Sequence, residues 1–210
     1  MNRRSLPILL AASIVALAAC QAAASPSASA GEPTVPTVPS ESSAPSDTSS
    51  ASPLPTADPV PPDELGPFSC EFPVEEPRSV QQTVNIMDVR VGSHDGYDRV
   101  VFEFNEGTPE FTLDRAEPPF TKDASGEPLD VEGNSFLQLI MRGGTKQTAS
   151  GASSYTGPTD FDPGFPQLVD LIEGGDFEAQ STWYLGLESE TCARVMLLTL
   201  PDRLVIDVEH

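Results

Sequence analysis

Residues 83–104 read TVNIMDVRVGSHDGYDRVVFEF, and their reading decides the fold. Val84 and Ile86 alternate with polar neighbours, and so do Met87, Val89 and Val91, one position out of phase. Alternation with period two belongs to a strand with one buried face, and the slip at 86–87 predicts a β-bulge. Val100, Phe102 and Phe104 alternate again. Between the two runs stands Asp95-Gly96, residue types that tolerate the positive φ of a tight two-residue turn. The stretch therefore reads as a β-hairpin. His94, Asp95, Tyr97, Asp98 and Arg99 cluster at its tip. They are read in two ways. In the first they order the turn: an aspartate accepts backbone N–H groups, Tyr97 packs over the turn, and Arg99 pairs with a carboxylate across the sheet at the surface. In the second they contact a ligand.

Outward from the hairpin, further strands are expected over 110–114, 135–142, 181–187, 193–200 and 204–208, with Pro201-Asp202 as the last tight turn. Residues 166–173 are ambiguous. Leu168, Leu171 and Ile172 have helical spacing, the length suits a strand, and a short strand or a single turn is expected, ended by Gly174-Gly175. Residues 143–164 are polar and small, and read as a long loop, either functional or a mobile insertion. The domain is all-β, runs over 68–210 and is long enough for one core.

Two segments precede it. Residues 1–19 carry Arg3 and Arg4 and then an apolar run from Leu6 to Leu17, too short for the ~20 apolar residues of a membrane span. They are read as an export signal. The run closes on Leu17-Ala18-Ala19-Cys20, which resembles a bacterial lipobox, so Cys20 is expected to be lipidated and to anchor the chain on a membrane. Each buried CH₂ of an acyl chain contributes ~0.8 kcal/mol to such anchoring. Residues 20–67 are rich in Ser, Pro, Ala and Thr and nearly empty of large apolar side chains, so they are read as a disordered tether. A flexible chain of that length spans ~40 Å.

The sequence has three cysteines. With Cys20 lipidated, Cys70 and Cys192 remain, and export to an oxidising compartment predicts a disulfide between them. From residue 68 onward there are 26 acidic side chains against nine basic ones, a net charge of −17. That balance argues against nucleic acid, whose phosphates require a basic footprint, and against docking on anionic lipid heads.

Motifs of chemistry are missing. There is no H-E-x-x-H, C-x-x-C, G-x-S-x-G or phosphate-binding G-x-x-x-x-G-K. The acidic stretches at 123–127 and 160–162 lack the spacing of a calcium loop. No enzyme, metal or cofactor is expected.

Three blocks do point to a family. HDGYDRVVFEF at 94–104, GGDFE at 174–178 with WYLGL at 183–187, and PDRLVIDVEH at 201–210 resemble the AMIN-like domain of actinobacterial lipoproteins, over roughly 83–210. More distantly the chain is similar to the AMIN domain. The resemblance implies a β-sandwich of short antiparallel strands with a targeting or binding role in the cell envelope, through peptidoglycan or another wall glycan. The alternatives are a role as a protein-interaction subunit of an envelope complex, and an enzyme whose site no motif reveals. The candidate binding residues are Tyr97, Arg99, Trp183 and Tyr184.

Overall fold

The computed structural model describes residues 65–210. The expected signal peptide, Cys20 and the tether up to residue 64 lie outside the described residues. Thirteen strands follow in chain order: β1 (Val74–Glu76), β2 (Val84–His94), β3 (Tyr97–Phe104), β4 (Glu110–Ala116), β5 (Phe120–Thr121), β6 (Pro128–Leu129), β7 (Ser135–Arg142), β8 (Gly144–Thr145), β9 (Asp160–Phe161), β10 (Leu168–Phe177), β11 (Gln180–Leu187), β12 (Ala193–Leu198) and β13 (Asp202–Glu209). They form a six-stranded sheet in the order β1-β4-β7-β11-β10-β9, a five-stranded sheet in the order β12-β13-β3-β2-β8, and a ribbon of β5 and β6. All pairs are antiparallel except β2 with β8.

The two large sheets face each other across one core. Val100, Phe102 and Phe104 of β3 point into it, as their alternation requires, and meet Leu185 and Trp183 of β11. Phe102 and Trp183 touch edge to face with ring centres 5.2 Å apart. This is the β-sandwich that the resemblance implied. Burying such side chains contributes roughly 1.5–3 kcal/mol each. The sheets are also tied by a polar contact: buried Asp98 accepts the backbone N–H groups of Gln167 (2.7 Å) and Leu168 (2.9 Å) at the start of β10.

The bulge lies where the phase slip placed it. The β2–β3 register shifts between Ile86 and Asp88, and the extra residue, Met87, points to solvent. At the hairpin tip Gly96 takes the positive φ, 87°, while Asp95 does not. Cys70 and Cys192 form the expected disulfide, beside an isolated bridge that pairs Ser69 with Ala193.

Three expectations are corrected. Within the 166–173 segment the ten-residue strand β10 begins only at Leu168, and Gly174-Gly175 do not end it. The glycines serve close approach instead. A Cβ on Gly174 would lie 2.7 Å from the Tyr184 ring, and one on Gly175 would lie 2.5 Å from Cβ of Asp123. The register shifts between Glu173 and Gly175, so the pair marks a bulge. Residues 143–164 are not one structureless loop. They contain β8 and β9, and Tyr155 is buried in the main core. Finally, β12 stops at Leu198, the turn spans 199–201, and Asp202 already belongs to β13, held by its bond to the Gly107 N–H (2.7 Å).

Candidate functional site

The hairpin tip and its neighbours lie at one end of the sandwich. Tyr97 and Arg99 leave β3 on its outer face, opposite to Val100 and Phe102. Arg99 is only 1% exposed. Its Nε and Nη2 donate to Oδ1 and Oδ2 of Asp207 on β13, at 2.6 and 2.9 Å. Arg194 of β12 donates to Oδ2 of the same carboxylate from Nε (2.9 Å) and Nη2 (2.5 Å). Two guanidinium groups thus share one carboxylate that has no solvent exposure. Aromatic faces take up the remaining charge: Arg194 lies 4.4 Å from the ring centre of Phe68 and 4.9 Å from that of Tyr97, and Arg99 lies 5.0 Å from that of Tyr97. Tyr97 in turn stacks on His94, 4.8 Å between centres and 15° from parallel. Burial first, and Arg99 second, lower the His94 pKa, which favours the neutral ring.

The turn-ordering reading of the tip is therefore close to what is seen, with a change of place. Arg99 does pair across the sheet, but in the interior rather than at the surface. Asp98 does accept backbone N–H groups, but from the facing sheet rather than from its own turn. Of this pair of candidates only Tyr97 keeps partial exposure.

Trp183 and Tyr184 sit elsewhere. Trp183 has 0% exposure, lies in the core and donates its indole N–H to Ser181 Oγ (2.9 Å). Tyr184 points to the outer face of the six-stranded sheet, where Phe120, Leu129 and Val131 of the β5–β6 region cover it. Its hydroxyl accepts from Gln138 Nε2 (2.9 Å), and burial raises its pKa. The four candidates are thus distributed over three layers and form no common site. Arg99 and Trp183 offer no surface to a ligand on the folded domain.

At the other end of the sandwich a cleft of about 460 Å³ opens between the β10–β11 tip and the β2–β8 edge. Asn85, Thr145, Gln147, Asp176 and Phe177 line it. Phe177, 56% exposed, is the last residue of β10 before a two-residue turn. Glu178 and Ala179 form that turn with φ of 51° and 58°. Neither residue type favours the left-handed region, which costs a non-glycine residue roughly 1–2 kcal/mol. Sequence reasoning passed over this cleft, although GGDFE at 174–178 is one of the blocks that carried the resemblance.

A second hollow, about 250 Å³, is lined by Asp130, Glu132, Asp160, Asp162 and Asp170. Asp170 is buried and accepts the Glu132 N–H (2.9 Å). Its own burial, reinforced by the carboxylates of Asp160, Glu132 and Asp162, pushes its pKa up to about 6. Among the described residues no group of three or more His, Cys, Asp or Glu side chains is arranged to hold a metal ion.

The family model for the AMIN-like domain matches residues 84–210. No curated protein and no solved structure matches the chain.

Proposed function

The chain belongs to the AMIN-like domain family, and on that premise we propose that it is a cell-envelope lipoprotein with a non-enzymatic binding domain for peptidoglycan or another wall glycan. In this reading Cys20 carries the lipid that holds the chain on the extracytoplasmic face of the cell membrane. The tether lifts the sandwich into the wall, and the sandwich binds there. The observation that carries the reading is the family match, which spans β2 to β13. The filled core supports it: large side chains from both sheets occupy the interior, and the hollows described above lie at the surface. Of the four binding candidates only Tyr97 keeps partial exposure. It, Arg99, Trp183 and Tyr184 are proposed to support the fold rather than to contact the glycan.

The test uses the mature chain carrying Cys20→Ser, which stays soluble. It is expected to pellet with purified sacculi at low and at moderate salt. Absence of pelleting at every salt concentration rejects the glycan reading and favours a protein partner in the envelope. The anchor is tested separately by labelling cells with a tagged fatty acid: the native chain is expected to take up label, and the Cys20→Ser chain to take up none.

A further inference from the structure

The Phe177 cleft combines fixed walls with unused polar groups. The walls are bonded to one another. Asp176 of β10 accepts the Thr145 hydroxyl and the Lys146 N–H, both at 2.6 Å. Gly143 donates to the carbonyl of Ala179 in the turn (2.8 Å). Asn85 of β2 donates from Nδ2 to the carbonyl of Gln147 (2.9 Å). The hairpin tip, β8 and β2 therefore hold one another, which leaves little ordering for a ligand to impose. The strained turn at 178–179 fits the same pattern, because strain of this kind gathers where a surface is pre-organised for binding.

What the cleft presents is different in kind from its walls. The Gln147 side-chain amide, the Thr83 hydroxyl and Oδ1 of Asn85 line it and make no hydrogen bond among the described residues. Phe177 adds an exposed apolar face beside them. Among the described residues no lysine or arginine lines the cleft, whereas Asp176 and Glu178 do. An anionic ligand would meet two carboxylates and no cation there, so phosphate-bearing polymers fit poorly. The volume lies within the range of about 300–1,000 Å³ found for small-ligand sites.

We infer that this cleft is a binding site for an uncharged saccharide, whose apolar ring face lies on Phe177 and whose hydroxyl and acetamido groups bond to Gln147, Asn85 and Thr83. The inference deepens the wall-glycan reading and rests on it. It also accommodates the net charge of −17, because a neutral stretch of glycan is not repelled by an acidic domain.

The test titrates the mature Cys20→Ser chain with a β-linked N-acetylglucosamine tetrasaccharide, followed by nitrogen–proton correlation NMR. The same is done with Phe177→Ala, Gln147→Ala and Tyr97→Ala added singly. Phe177 and Gln147 are exposed, so their variants should melt with the parent chain. Signals of 83–85, 145–149 and 176–179 are expected to shift. Binding should weaken roughly tenfold in Phe177→Ala, the scale of one lost aromatic contact, and stay unchanged in Tyr97→Ala. No shifts with the tetrasaccharide, or equal binding by Phe177→Ala, overturns the assignment of the cleft. Pelleting of the parent chain with sacculi decides the broader reading independently: if it pellets while the cleft variants bind as it does, the wall-glycan reading stands and the site lies elsewhere.

Discussion

Arg99 and Asp207 stand opposite each other on β3 and β13, joined by two hydrogen bonds and screened from solvent on both sides of the pair. Arg194 donates to the same carboxylate. Removing that carboxylate leaves two guanidinium groups buried without a counter-charge. Asp207→Ala is expected to cost about 3–5 kcal/mol, measured by urea unfolding. A loss below about 1 kcal/mol would mean the pair contributes no more than an exposed one. For the same reason Arg99→Ala is a poor probe of binding, since it disturbs the outer face of the sheet, and Tyr97→Ala is the better choice at that end.

The Cys70–Cys192 bond closes a separation of 122 residues. Chain entropy assigns such a bond ~4–5 kcal/mol, because it restricts the unfolded chain. Reducing buffer, or the Cys70→Ser/Cys192→Ser pair, is expected to lower the melting temperature by about 10 °C. An unchanged melting temperature would show that the bond contributes nothing to stability.

Asp170 gives the domain a pH dependence of unusual sign. Its folded pKa is raised to about 6 from the usual aspartate value of 3.8, so the folded state holds this proton more tightly than the unfolded one. The group's contribution is therefore most favourable below about pH 4 and declines as pH rises to about 6. Two pKa units correspond to about 3 kcal/mol, and solvent at the mouth of the hollow reduces this to about 1–2 kcal/mol. Asp170→Asn keeps an acceptor for the Glu132 N–H and removes the charge. It is expected to be more stable than the parent by that amount at about pH 7 and equal to it at about pH 4, read from unfolding curves at each pH.

Two glycines separate steric from conformational cost. A Cβ on Gly186 would lie 1.8 Å from the carbonyl oxygen of Glu132, so Gly186→Ala must push β11 and the 130–133 segment apart. A loss of about 3 kcal/mol is expected. Gly96 has open space around it and only its φ of 87° to protect, so Gly96→Ala should cost about 1 kcal/mol. Thermal unfolding of the two variants checks the contrast, and similar losses would contradict it.

How much of this was legible in the sequence depends on where each residue's partners lie. The β2–β3 hairpin was legible because its core-facing apolar residues alternate and its turn is local, although residues 98–102 are buried on both faces of β3. The burial of β11 was not, since its polar Ser181 and Thr182 are as buried as its aromatics. Trp183 meets Phe102 across the core and Tyr184 lies under Phe120, so two aromatics that read as surface candidates are interior. Gly174 and Gly175 looked like a stop because their neighbours, Tyr184 and Asp123, are distant in sequence. Arg99 read as a surface charge because nothing local shows Asp207, 108 positions away. The cleft was hidden for the same reason. It is assembled from 83–85, 145–149 and 176–179, brought together by the β2–β8 pairing and the Asp176 bonds.

The central claim is that the sandwich binds wall glycan at its Phe177 end. Its most direct test pellets three chains side by side with purified sacculi at moderate salt: the mature Cys20→Ser chain, the same chain with Phe177→Ala, and the same chain with Tyr97→Ala. The account predicts that the parent and Tyr97→Ala chains pellet and that Phe177→Ala stays largely in solution while melting at the parent's temperature. Equal pelleting of all three, or of none, would contradict it.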